Sequence, residues 1–566
     1  MTDRTSAIFP LTRRTTLAGL AAGTAMSLAP LRAGAATAEG SALFRHGVAS
    51  GDPDATSVVI WTRVTTEAAM PVEWEVAHDP AFTQLVATGR AEAQAERDYT
   101  VKVLATGLRA GGRYYYRFRA GGMTSPTGRT RTLPVGRLDR LGIALVSCSN
   151  YAFGFFNAYA AIAGDAGVDF VLHTGDYIYE YGADEWGADT ARNLGRVHQP
   201  AHEIVTLSDY RTRHAQYKTD PGSQAMHAAH PLLACWDDHE SANNPWVGGA
   251  QNHQADKEGD WAARREASIR AYYEWMPVRE PEAGRTRAQF WRGYSFGDLA
   301  TLFTLETRHT ARAEQVDYRP WADKIASRAD AERLERETID APGRALLAPE
   351  LEADLDIALR RSVRAGQPWR LIGNPMPIAR TRVPDVVAQG LLPDPFTTPG
   401  ASDEAKVLAW KGKWNLPFYP DTWDGYEWAR ERLYALSRKA GAGDLVFLTG
   451  DSHSFWANRL ADAKGRSAGV ELGTAGVTSP GDFIGSGFAR DLSEKLDRAF
   501  EVHNPEVEWT DNLHQGYVRL ALRRTAALAE FVAVDTVTAP SIATQTIKRF
   551  GLTRRGKALK LEERPG

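Results

Sequence analysis

Five short apolar runs, far apart along the chain, each stop at a residue carrying a strong donor atom. Residues 142–146 lead to Cys148, 170–173 to Asp176 and Tyr179, and 232–236 to Asp238, His239 and Glu240. Residues 369–373 lead to Asn374, and 445–450 to Asp451 and His453. One strand that ends in polar residues carries little information. Five of them, alternating with segments of helical character, predict an α/β domain with a shared site on one sheet edge. Open α/β sheets place their ligands just past the carboxyl ends of their strands. The stretch Phe170-Val-Leu-His-Thr-Gly-Asp-Tyr-Ile-Tyr-Glu180 shows the pattern best. Its apolar start reads as a buried strand, and Gly175 allows the tight turn that follows. A carboxylate with a phenol three residues on is an unusual pair, and a phenolate suits a trivalent ion such as ferric iron. The alternative local reading is that Asp176 caps a helix and Tyr179 packs beneath it.

At 566 residues the chain is too long for one ordinary core, so two domains are expected. Its hydrophobic share of 43% and charged share of 24% are globular values. A net charge of -3 gives nucleic-acid binding no electrostatic support. At the N-terminus, Thr12-Arg13-Arg14-Thr15-Thr16-Leu17 precedes an apolar stretch over residues 17–31. The small-residue sites Ala33-Gly34-Ala35 and Ala36-Thr37-Ala38 follow. This pattern fits a twin-arginine export signal over residues 1–38, with the twin-arginine machinery as partner. The destination is then secreted, periplasmic or cell-wall. An ordinary secretory signal is the alternative; an anchor needs about 20 apolar residues, and no later segment supplies them. Twin-arginine export carries folded proteins, which suits a metal site assembled beforehand. The two cysteines, Cys148 and Cys235, could pair in an exported protein. The context of Cys148 favours a thiolate ligand instead.

From about 42 to 134 the signals are all β: alternating runs at 57–64, 72–76 and 99–104, then a Gly turn and an aromatic strand at 108–118. A leucine, a turn and a tyrosine-rich strand match the tyrosine corner of β-sandwiches. A small immunoglobulin- or fibronectin-like domain is expected there, with a last strand and linker at 124–134. The α/β part follows over 140–550, with helices at 158–162, 349–362 and 427–437, the last opened by a capping box at Asp424 and Glu427. The stretches of about 182–225 and 377–425 lack strong periodicity and read as long polar loops inserted around a site.

The donor types sort into two groups. Thiolate, phenolate and imidazole suit iron, whereas carboxylates and an amide carbonyl suit a harder divalent ion. Asp176, with two oxygens, can bridge both. Two such ions about 3.5–4 Å apart clamp a phosphoryl group and activate water near neutral pH. Each residue also has an ordinary reading. A lone Cys148 is a small core residue, a lone His453 a hydrogen-bonded histidine, a lone Asp238 a salt-bridge partner, and Asn374 before Pro375 a turn residue. Cys235 reads as core outright. His173, His227, His230 and His253 read as structural or surface residues.

The order Cys-Ser-Asn, Gly-Asp-x-x-Tyr, Asp-Asp-His-Glu-x-x-Asn-Asn, Trp-x-x-x-Gly-Asn and Gly-Asp-x-His resembles the PhoD family of alkaline phosphatases, exported enzymes related to purple acid phosphatases. Phe44-Arg-His-Gly-Val-Ala-Ser-Gly-Asp-Pro53, Asp421-Thr-Trp-Asp-Gly-Tyr426 and Glu471-Leu-Gly-Thr-Ala-Gly-Val-Thr-Ser-Pro480 extend the likeness over nearly the whole chain. The resemblance implies an αββα metallophosphoesterase sandwich holding Fe3+ and Ca2+. It puts iron on Cys148, Asp176, Tyr179 and His453, and calcium on Asp176, Asp451 and Asp238. Asn374 stands where related phosphatases place a second-metal histidine, and Asn243 or Asn244 completes the calcium shell or holds phosphate. Glu306-Thr-Arg308 stands where Asp-Thr-Arg is expected and Pro375 where Gln is usual, which bears on the pocket rim.

The expected chemistry is hydrolysis of phosphate esters by in-line attack of an activated water oxygen. His239 is the expected proton donor to the leaving alkoxide, unless it only orients Asp238 or Glu240. Arg308 is the expected phosphate fork. The rivals are a phospholipase D-like phosphodiesterase on the same scaffold and a non-catalytic secreted binding protein with structural metals.

Overall fold

Parallel strands whose both faces are apolar cannot stay in water, and here they stack against one another. A computed structural model describes residues 42–565. The signal pattern and cleavage sites of residues 1–38 lie outside it. A ten-stranded sheet has three parallel strands at its centre, Arg140–Val146, Phe170–His173 and Leu232–Ala234. A seven-stranded sheet has a parallel set too, Ala300–Thr304, Trp369–Asn374, Leu445–Thr449 and Ser467–Gly473. Leu145, Leu172 and Leu233 of the first sheet share one core with Leu302, Leu371 and Leu448 of the second, so the sheets pack face to face. The outer face of the first sheet is covered by helices that include Asn157–Ala163 and Trp261–Trp275, through Ile162, Ile269 and Tyr272. The outer face of the second is covered by Pro349–Arg364 and Glu427–Ala440, through Leu351, Leu355, Leu359 and Leu433. In Pro349–Arg364 the leucines recur every four residues, which is why that segment is legible as an amphipathic helix.

Residues 42–134 do form two layers, but they are not a free-standing sandwich. Val48–Gly51, Val58–Arg63 and Thr100–Ala105 extend the ten-stranded sheet, with Gly51 paired in parallel to Leu232. The second layer is a separate five-stranded sheet. Val58, Ile60 and Val101 pack on Val76, Tyr116 and Phe118 between the layers. The tyrosine corner is present: the Tyr114 hydroxyl accepts from the Arg109 backbone N–H at 2.8 Å.

Two local expectations fail for identifiable reasons. No capping box opens Glu427–Ala440; Asp424 instead accepts from the Thr381 N–H at 2.7 Å and pairs with Arg430 at 2.8 Å. The stretch 182–225 is substantially helical, with Leu207–Tyr217 opened by a true capping box between Thr206 and Asp209. Its buried face is made of Tyr210, Arg213, His214 and Tyr217, so apolar periodicity could not reveal it.

Gly175 lies at φ 101°, and a Cβ there would sit 2.3 Å from the Asp237 nitrogen. Both features forbid a side chain at this turn. Gly175→Ala is expected to lower unfolding stability by about 3 kcal/mol, read from urea denaturation.

Candidate metal centre

Most strand ends expected to carry a donor present it through a backbone turn. Ten non-glycine residues among those described have positive φ, and five of them are candidates: Cys148, Asp176, Asn244, Asp451 and His453. Left-handed backbone at ordinary residues costs about 1–3 kcal/mol each and concentrates at functional sites. These turns aim the side chains of parallel strands from both sheets into one space.

The side chains meet in three overlapping groups. One donor atom each from Cys148, Asp176 and His453 lie within 4.8 Å of one another. So do those of Asp176, Asp238 and His239, and those of Asp237, Asp238 and Asp451. Asp176 Oδ2 is 3.4 Å from Cys148 Sγ and 3.2 Å from the Tyr179 hydroxyl, which is itself 3.2 Å from His453 Nε2. His453 Nδ1 lies 3.1 Å from the Pro480 carbonyl, so Nδ1 carries the proton and Nε2 turns its lone pair to the cluster. The Ser479 hydroxyl sits 2.9 Å from that of Tyr179 and donates to the Cys148 carbonyl at 3.1 Å. Trp186 stacks on His453 at 5.6 Å and 16°.

Electrostatics show what the cluster lacks. Burial, reinforced by Asp176, pushes the Cys148 thiol well above its usual range. Burial does the same to Tyr179, again with Asp176 beside it. Asp176 and Asp451 are raised well above ordinary carboxylates by burial and neighbouring carboxylates. Asp237 rises to about 6 for the same reasons, against the pull of Arg308. Burial works against charge on His239, but Asp238, Glu180 and Asp176 outweigh it and hold the ring protonated. Asp237 Oδ2, Asp238 Oδ1 and Arg308 Nη2 are buried without hydrogen-bond partners. Buried anions without partners are expensive, and cations satisfy them. Thiolate, phenolate, imidazole and carboxylate on one side, and carboxylates alone on the other, fit a redox-type ion beside a harder one.

The remaining expected residues fall into place unevenly. His239 Nδ1 is held by Glu180 at 2.6 Å, and its ring stacks on Tyr179 at 4.2 Å. Asn244 donates its backbone N–H to Asp238 at 2.9 Å, while Asn243 donates its own to Glu180 at 3.0 Å. The side chains of both reach Gln251. Asn374 ends its strand as expected, but its amide is spent elsewhere. Nδ2 donates to the Met376 carbonyl at 2.6 Å, and Oδ1 accepts from Trp423 at 3.1 Å. Arg308 does not present a free fork. Its Nε binds Asp237 at 2.5 Å, and Nη2 lies 3.7 Å from Asp238 and 3.6 Å from Asp451. Glu306 is no rim residue: fully buried, it accepts the backbone N–H groups of Arg308, His309 and Thr310.

Asp237 and Arg213 escape the strand-end reading, and Glu240, which belongs to it, holds turns and is not a free donor. Asp237 joins the carboxylate group beside Asp238. Glu240 accepts the N–H groups of Asp176, Tyr177 and Asp237 and so fixes two donor turns at once. Arg213, from the helical stretch, donates to the Tyr179 carbonyl. The acids at 237–240 and Glu180 are visible in the sequence; their division into donors and turn-holders is not.

Comparison with known proteins settles the kinship. The PhoD-like phosphatase family model matches residues 143–531, and the model for the N-terminal domain of PhoD-like phosphatases matches residues 29–134. The chain belongs to the PhoD-like phosphatase family. It is therefore a member of a family of phosphoric ester hydrolases. It is 32% identical to alkaline phosphatase D of Bacillus subtilis over 560 residues, covering 94% of this chain and 85% of that protein. A solved structure of PhoD superposes with a TM-score of 0.73 at 31% identity, covering 92% of each chain.

Arg308 is the buried counter-charge of the carboxylate group. Arg308→Met is expected to lower stability of the metal-free protein by about 3–5 kcal/mol at pH 7. Asp237 has a folded pKa above its unfolded one, so its ionisation destabilises the fold as pH rises through about 6. Loss of Arg308 raises that pKa further, so the deficit should shrink as pH falls toward about 6 and level off below it, which urea denaturation at several pH values would show.

Proposed function

We propose that this protein is an exported metal-dependent phosphatase that hydrolyses phosphate monoesters and/or diesters at a paired iron and calcium centre. One observation carries this reading: three donor groups overlap through Asp176 and Asp238 at the strand ends of two sheets. The layered sheets support an αββα metallophosphoesterase sandwich over 140–550, with residues 42–134 as its N-terminal β-domain. Export rests on the twin-arginine pattern of residues 1–38. Among the described residues no helix is long and apolar enough to cross a membrane.

Cys148, Asp176, Tyr179 and His453 would hold iron, and Asp176, Asp238 and Asp451 calcium. Bound there, the cations supply Lewis-acid stabilisation of phosphoryl oxygens and a more acidic water. The chain's own residues do the rest. Pro480 and Ser479 orient His453 and Tyr179. Glu240 and Glu306 lock the turns that carry Asp176, Asp237 and Arg308. His239, whose Nδ1 is held by Glu180, is our candidate for delivering a proton to the departing alkoxide. Arg308 balances the carboxylates rather than gripping phosphate.

Elemental analysis of protein purified without chelator should find iron and calcium. Asp176→Ala should lose both metal and turnover; retained iron with full activity would sink the bridge assignment. Tyr179→Phe should bleach the violet band expected of a tyrosinate bound to ferric iron, read by visible absorption. His239→Gln should slow alkyl phosphates by about 10²-fold or more, but nitrophenyl phosphate much less, because nitrophenolate leaves without a proton. Equal slowing of both substrates would leave His239 only an orienting role.

A further inference from the structure

Beside the donor cluster lies a cavity of about 680 Å³ that none of the roles above employs. Asn244 forms part of its wall, and the same residue holds Asp238 through its backbone N–H. Asp421, also on the wall, acts electrostatically on Asp451. The cavity thus adjoins the Asp238–Asp451 side of the cluster, and neither Cys148 nor His453 lines it. Its volume is that of a small-molecule site and far exceeds a phosphate group.

The lining is specific in kind. Trp246, Tyr318, Phe418, Tyr419, Phe483 and Phe488 come together there from distant parts of the chain. Phe418 and Phe483 pack at 5.7 Å, and Phe483 and Phe488 at 6.4 Å, so the wall is a connected aromatic surface. Six carboxyl side chains line the cavity against only Arg319 and Lys411. Asp317 and Asp403 are paired with Arg319 and Lys406, and burial pushes the Asp482 carboxyl well above the usual range, which leaves Glu314, Glu404 and Asp421 as the surplus. Arg319 is already paired with Asp317 at 2.8 Å, and Lys411 donates to the Phe418 carbonyl at 2.9 Å. Aromatic walls favour a bulky apolar guest, and the surplus of acid repels a negatively charged one.

We propose that this cavity seats one organic arm of a phosphodiester, an arm that is bulky, apolar and free of negative charge. This rests on the reading of the donor cluster as a phosphatase centre, which holds the phosphate while the cavity holds the arm. The arm seated there is the one that stays on phosphorus, so a monoester, whose single organic group departs, leaves the cavity unused. A diester fills both, so the cavity sets which esters are preferred rather than whether they react.

The test compares bis(p-nitrophenyl) phosphate, p-nitrophenyl methyl phosphate and p-nitrophenyl phosphate on the metal-loaded wild type, Val407→Trp and Phe488→Ala. Val407 lines the cavity, and a tryptophan there fills it; Phe488→Ala removes part of the aromatic wall. The wild type should favour the aryl over the methyl diester by about tenfold or more in kcat/KM. Each variant should erase most of that preference through KM, with monoester turnover within about twofold of wild type. Equal losses on all three esters, or an aryl preference that survives both variants, overturns the cavity assignment. Calorimetry separates this from failure of the phosphatase reading. If the wild type turns over no ester yet binds bis(p-nitrophenyl) phosphate, and Val407→Trp abolishes that binding, the cavity stands and the hydrolase reading falls. If neither turnover nor binding is found, both fall.

Discussion

Everything at the centre depends on keeping like charges close together out of water. Asp176, Asp237, Asp238 and Asp451 crowd one small volume with a thiol and a phenol. Left alone, such a group would push its turns apart or take up protons. The fold answers by dividing its acids into two kinds. Glu240 and Glu306 are surrounded by backbone N–H groups, and Glu180 by His239, the Asn243 N–H and Asn252. These three are satisfied by the protein, and their work is to pin the loops. Asp237 and Asp238, by contrast, each keep one buried oxygen without a hydrogen-bond partner. A site of this design is a framework of saturated carboxylates holding unsaturated ones in place.

The two-sheet architecture makes such crowding geometrically available. A single parallel sheet offers one row of strand ends, and its neighbours along that row are separated by strand spacings. Two sheets packed on a common leucine-rich core bring two rows together, so residues 148, 176 and 238 can face 451 and 453. The positive-φ turns close the remaining distance. The helical stretch after Tyr179 belongs to the same machinery, since Arg213 on Leu207–Tyr217 holds the Tyr179 carbonyl.

Much of this was legible in the residues alone. Apolar runs that end in donors mark the parallel strands because such strands are buried on both faces and show no alternation. Chemical type then marks the donors, since thiol, phenol, imidazole and carboxylate seldom gather at strand ends by accident. Three things were not legible. Asn374 occupies a donor's position in the strand order, yet Met376 and Trp423 claim its amide, a partnership fixed only by tertiary packing. Arg308 carries the chemistry of a phosphate fork, but its buried carboxylate neighbours take it first. The separateness of the N-terminal β region fails because backbone pairing of Gly51 with Leu232 has no signature in side-chain pattern.

Backbone pairing between distant segments also governs how the molecule is made. The strand before Cys148 is flanked on one side by Phe170–His173 and on the other by Gly516–Arg523, which pairs antiparallel with it. Until Gly516–Arg523 has been synthesised, the Cys148 strand keeps a bare edge and the large sheet stays open. Long-range pairings of this sort form late and slowly. Assembly of the donor pocket thus waits on a strand synthesised long after Cys148, and loss of Gly516–Arg523 strikes the centre as directly as a change within it.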